Sequence, residues 1–120
     1  MKERALFYYA QGYNCSLAIL KAGAEHFGIV ISEELENSCS AVSNGFGVGS
    51  ICCALVAAIE LFGILFEEER AKTLRMQLFL SFHERFGSLN CCKLSCCRQD
   101  CSEILAYVAE LTERLITQMK

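Results

Sequence analysis

Proline and tryptophan are both absent from the 120 residues. Without proline the commonest helix breaker is missing, which favours a mostly helical chain. Positive charge is sparse as well: 11 Lys and Arg stand against 14 Asp and Glu, and no basic block occurs. The electrostatic footprint of a nucleic-acid binder is therefore missing. No Cys-x-x-Cys pair occurs, which removes the usual zinc-ribbon, ferredoxin and thioredoxin signatures. Strand-type alternation and internal repeats are also lacking.

The opening MKERALFYYAQGYN has charges and then a short apolar stretch that breaks at Gln11 with no small-residue cleavage site. A signal peptide is not expected, and a cytoplasmic location is. Thiols stay reduced there, and nine cysteines cannot all pair within one chain. Reactive thiols or metal ligation thus gain over a disulfide scaffold. The run from Gly45 to Phe66 is long enough to span a bilayer. It carries Glu60, however, and an acid at mid-membrane costs roughly 2.5–3.5 kcal/mol. A buried core helix is the expectation, not a membrane span.

The length suits one domain, and 53% hydrophobic residues can build a core without covalent staples. A short helix is expected to end at Gly12. Leu17, Leu20, Ala24 and Phe27 then recur at helical spacing, with Gly28 as the stop. SEELENSCSAVSNG opens with Ser32 and acids, the start chemistry of a third helix running to about Asn44-Gly45. An apolar helix over Ile51 to Phe66 follows, and then a mixed one that stops at Gly87. The last helix shows one stripe of Ile104, Leu105, Val108, Leu111, Leu115 and Ile116. The expected fold class is all-α: residues 1–120 as one helical cysteine-rich domain, a compact bundle-like packing of five or six helices.

Cysteines follow helix-start residues with unusual regularity. Asn14 precedes Cys15, Asn90 precedes Cys91, Asp100 precedes Cys101, and Ser50 lies just before Cys52 and Cys53. Asn, Asp and Ser are the preferred N-caps. DCSE at Asp100 to Glu103 adds the capping-box pattern. A thiol in the first turn faces unpaired N–H groups and the positive dipole end, which stabilises the thiolate. The adjacent pairs Cys52-Cys53, Cys91-Cys92 and Cys96-Cys97 do not face each other on a helix. Cys92 to Cys96 and Cys97 to Cys101 are four apart, about 5–6 Å between Cβ atoms, too far for a relaxed disulfide.

In order, GYNC (Gly12–Cys15), GFGVGSICCALVAAIELFG (Gly45–Gly63), FGSLNCCKL (Phe86–Leu94) and Cys101 resemble the redox-active protein family named for its C-GCAxxG-C-C cysteine pattern. The resemblance runs from about Tyr8 to Ala109. It implies a small helical redox protein whose four defining cysteines are Cys15, Cys52, Cys91 and Cys101. The central motif is read here as C-G-A-x-x-G, which puts Cys53 and Ala57 at its two glycines. The reverse order would promote Cys53 over Cys52. Cys53, Cys92, Cys96 and Cys97 are secondary thiols on this reading, and Cys39 lies outside the four.

GFGVG lacks the preceding strand that a dinucleotide fingerprint requires, and it reads as a loop letting helices cross closely. His26 and His83 read as surface or capping residues. Glu60 reads as a boundary residue or an interhelical hydrogen-bond partner, and Tyr8, Tyr9, Tyr13 and the phenylalanines as core. Three functional readings follow. The first is a thiol redox protein, an oxidoreductase in its enzymatic form, exchanging disulfides or electrons with a redox partner through Cys15, Cys52, Cys91 and Cys101. The second is a module binding an iron–sulfur cluster or zinc through those same four ligands. The third is a structural homo-oligomer in which the cysteines are small buried hydrophobes.

Overall fold

The architecture is described from a computed structural model of the chain, which describes residues 1–95 and 100–120. Seven α-helices are described: α1 (Lys2–Ala10), α2 (Cys15–Phe27), α3 (Glu33–Asn37), α4 (Cys53–Leu65), α5 (Glu68–Phe86), α6 (Cys91–Ser95) and α7 (Ser102–Met119). A single π-type turn, Gly45–Gly49, precedes α4. No strand occurs among the described residues, and the expected all-α class holds. Nor is any described helix long and apolar enough to cross a membrane.

The stops act as the sequence implies. Gly28 and Gly87 sit in the left-handed region at φ 70° and 78°, a conformation open to glycine at little cost, and close α2 and α5. Ser32 caps α3 by accepting from the Leu35 N–H at 3.1 Å.

The third helix is shorter than expected, ending at Asn37 and not near Gly45. Ser38 Oγ donates back to the Leu35 carbonyl at 2.6 Å, the local competition that serine offers a helix. The Cys39 carbonyl is then drawn to α2, accepting from Asn14 Nδ2 at 3.1 Å and Ser16 Oγ at 3.4 Å. A carbonyl so engaged holds the chain against α2 and away from helical continuation.

The apolar helix begins later than the expected Ile51. Ile51 forms an isolated antiparallel bridge with Asn90, with Cys52 N–H donating to the Leu89 carbonyl at 2.9 Å and Cys91 N–H to the Ser50 carbonyl at 2.6 Å. Backbone already paired in this way is not available to a helix. The bridge fastens the segment carrying Cys91 to the one carrying Cys52 and Cys53.

Helix α4 is the central element, fully buried at Ala54, Leu55, Ala57, Ala58, Leu61 and Phe62. It packs most extensively on α2, where a side chain at Gly23 would strike Leu61 Cδ1 at 2.4 Å. The absent Cβ sets that interhelical distance. All six stripe residues of α7 are buried, as their spacing requires. The starts of α2, α4 and α7 meet at one end of this core.

Candidate functional site: a cavity of thiols at helix starts

The Asn14 side chain accepts from the Leu17 N–H at 2.9 Å, fixing the start of α2 and making Cys15 its first residue. Cys52 is the N-cap of α4 and Cys53 its first helical residue. Ser50 does not cap that helix, because its carbonyl is paired with Cys91 N–H. Asp100 does accept from the Ser102 N–H, at 3.0 Å, but α7 starts at Ser102. Cys101 therefore occupies the N-cap position itself. Cys91 begins α6.

These five cysteines line one cavity of about 490 Å³ together with Tyr9, Tyr13, Asn14, Ser43 and Asn44. Cys15, Cys52, Cys91 and Cys101, four residues singled out from sequence, are thus brought together. The sulfur contacts run through Cys53 and not Cys52. Cys15 shares this cavity with Cys101 and Cys53, the two side chains that most influence its thiol. Cys15, Cys39, Cys52, Cys53 and Cys92 are free thiols.

Electrostatics separates the thiols into distinct states. Hydrogen bonding to Cys101 and then to Cys53, reinforced by burial, drives Cys15 far above the ordinary thiol range, so it keeps its proton. Cys53 moves the other way, down to about 7. The Cys15 hydrogen bond is the main cause, and the Ser16 N–H adds to it against the opposing effect of burial. Among the described thiols Cys53 is the one shifted downward, so it is the readiest to ionise near neutral pH. Burial pushes Cys52 up to about 12 despite the N–H groups of Ala54 and Leu55. Cys91 also rises, through burial and then the neighbouring Cys101 and Cys53 charges. One nucleophile and one proton-holding neighbour result.

Other cysteines contribute less. Cys92 is exposed on α6, where its Cβ would lie 2.7 Å from a side chain at Gly49. Gly49 also holds φ 72°, so contact and backbone both require glycine there. Cys39 is buried behind the site, its carbonyl tied to Asn14 and Ser16. Cys96 and Cys97 lie outside the described residues. Among the described residues no three His, Cys, Asp or Glu side chains are arranged to hold a metal ion.

Tyr9, expected as core, instead lines the cavity. Its hydroxyl accepts from the Cys101 N–H at 3.1 Å, across 92 positions of sequence. A tyrosine in an aromatic-rich apolar segment carries no local signal of such a contact.

A helical fold whose helix starts gather five cysteines around one cavity defines a small cysteine-rich helical protein. The chain belongs to the family described as "Putative redox-active protein (C_GCAxxG_C_C)", whose model matches residues 13–115. In that printed pattern the central cysteine directly precedes alanine, the register of Cys53-Ala54 here, with Cys52 and Ala57 at the two glycine positions. This is the reverse of the order C-G-A-x-x-G, and it agrees with the sulfur contacts. No curated protein and no solved structure matches the chain.

Proposed function

We propose that this chain is a thiol redox protein that exchanges disulfides through Cys53 and Cys15, with Cys101 as the third sulfur of the relay. The observation that carries this reading is the gathering of Cys15, Cys53 and Cys101 from three helix starts around one cavity, and the opposite shifts of Cys15 upward and Cys53 downward support it. The Cys53 thiolate attacks one sulfur of a partner disulfide, breaking its S–S bond. A mixed disulfide forms and a partner thiolate leaves. Cys15 then gives its proton to that thiolate and attacks Cys53 Sγ. The Cys15–Cys53 bond forms, the second partner thiolate leaves and takes a proton from water, and two electrons have passed from the protein dithiol to the partner. The reverse sequence oxidises a partner dithiol. Cys101 helps hold the Cys15 proton, and Cys91 and Cys52 are further thiols of the same cavity.

Thiol trapping with mass spectrometry after exposure to a small disulfide tests the scheme. Cys53 and Cys15 should lose labelling together and yield a cross-linked peptide pair, and Cys53→Ser should abolish the cross-link. Full labelling of both in a folded, disulfide-treated chain sinks the reading. Elemental analysis and an absorption spectrum of anaerobically purified protein check the metal alternative. A stoichiometric iron–sulfur chromophore or zinc released by Cys53→Ser would replace thiol exchange with ligation.

A further inference from the structure

Tyr9 has no part in the exchange scheme above, yet its hydroxyl shares the cavity with the reacting sulfurs. It lies near the end of α1, and its oxygen accepts from the Cys101 N–H at 3.1 Å, at the N-cap of α7. Tyr9 lines the cavity beside Cys15, Cys53 and Cys101. A phenol oxygen that accepts a hydrogen bond still has its own proton to donate. The Cys101 N–H fixes the oxygen in place, so the remaining O–H can only turn about the C–O bond.

We propose that Tyr9 is the hydrogen-bond donor of the thiol cavity, its O–H stabilising the negative charge that develops on Cys15 Sγ when Cys15 attacks the Cys53 mixed disulfide. This rests on the thiol-exchange reading and supplies what that reading lacks. Cys15 holds its proton tightly while Cys53 is a thiolate, and it must lose that proton to complete the exchange. In the mixed disulfide the Cys53 charge is gone, and a donor beside Cys15 lowers the remaining cost of ionisation. The Cys101 N–H draws the phenol downward, but burial and the negative charges of Cys15, Cys101 and Asp100 outweigh it and leave the phenol raised. The donor is consequently protonated across the whole working range. Any pH dependence belongs to the thiols.

Tyr9→Phe keeps the ring and removes the O–H. In a Cys53→Ser background, the pH midpoint of Cys15 alkylation should move upward by about one unit in Tyr9→Phe, a tenfold loss of thiolate. In the chain with Cys53 intact, the mixed disulfide with a small aromatic disulfide should resolve on the order of tenfold more slowly. A role limited to holding α7 in place would lower thermal stability and leave the Cys15 midpoint where it was, and that result overturns the proposal. Should Tyr9→Phe not fold, 3-fluorotyrosine at position 9 keeps the oxygen and strengthens the donor. The midpoint should then fall, and an unmoved midpoint again overturns the proposal. If Cys53 forms no mixed disulfide in the unaltered chain, thiol exchange fails while the Cys15 midpoint still decides the role of Tyr9.

Discussion

Two tyrosines on this protein end in opposite circumstances. Tyr107, midway along α7, packs edge-on against Phe86 with ring centroids 5.3 Å apart and lies beside Phe82, while its hydroxyl donates to the Ser81 carbonyl at 3.2 Å. Phe86 and Tyr107 are half-buried there and pack against the buried core through the fully buried Phe82. Tyr9 meets the start of the same helix, but its hydroxyl accepts from the backbone and faces a cavity of about 490 Å³ lined by thiols. The aromatic region is anchored by the fully buried Phe82 and carries no thiol, whereas the sulfur region gathers five cysteines around its cavity. Helix α7 joins the two, so they share a scaffold and can be perturbed separately.

The largest expected effect comes from the aromatic region. Phe82 is fully buried between Phe86 and Tyr107. Phe82→Ala should cost about 3–5 kcal/mol of unfolding free energy by denaturant titration, the usual range for truncating a buried phenylalanine. The alkylation midpoint of Cys53 should stay where it is, because the groups that shift it, Cys15, Ser16 and Cys101, sit at the starts of α2 and α7 and not beside Phe82. A moved midpoint in folded Phe82→Ala would break the separation between the two regions.

From the cavity side the complementary variant is Cys15→Ala. The Cys15 hydrogen bond is the main influence lowering Cys53. Its removal should raise the alkylation midpoint of Cys53 from about 7 towards the ordinary thiol value near about 8.5. The sign follows from which form the bond favours: it stabilises the thiolate, so losing it favours the thiol. At pH 7 the thiolate fraction falls from about half to a few per cent, and alkylation slows by roughly tenfold. An unchanged midpoint would leave the helix start as the sole cause. Stability should change little, because the variant trades one small buried group for another.

Local physics explains what could be read from the chain and what could not. The stripe on α7 and the stops at Gly28 and Gly87 depend on residues within a few positions, and these were legible. So was Asn14 as the cap before Cys15; Cys52, Cys91 and Cys101 do line the cavity, but Cys52 and Cys101 stand at N-caps and not in first turns. The shortened α3 was not, because the Cys39 carbonyl is captured by Asn14 and Ser16, more than twenty residues away. The choice between Cys52 and Cys53 turned on one residue of helix phase. The Ile51–Asn90 bridge draws Cys52 out of the helix, and Cys53 becomes its first turn. No sequence spacing contains that pairing. Tyr9 was hidden for the same reason, its partner being 92 residues distant.

Asn14 carries the smallest predicted effect and the sharpest test of how the scaffold supports the cavity. Its carboxamide does three things at once: Oδ1 accepts from the Leu17 N–H at 2.9 Å and the Ser16 hydroxyl at 2.7 Å, while Nδ2 donates to the Cys39 carbonyl at 3.1 Å. Asn14→Ala should cost on the order of 1 kcal/mol, typical for an N-cap. Asn14→Ser restores the cap alone and should recover most of that stability. The Ser16 N–H that helps to hold Cys53 as thiolate sits in this same first turn. If the cap positions that N–H, Asn14→Ala raises the Cys53 midpoint by a few tenths of a unit and Asn14→Ser brings it back. If the midpoint stays raised in Asn14→Ser although stability recovers, the tie to Cys39 is what keeps α2 in register with Cys53. The cavity then depends on the loop that cut α3 short, and not only on the helix start.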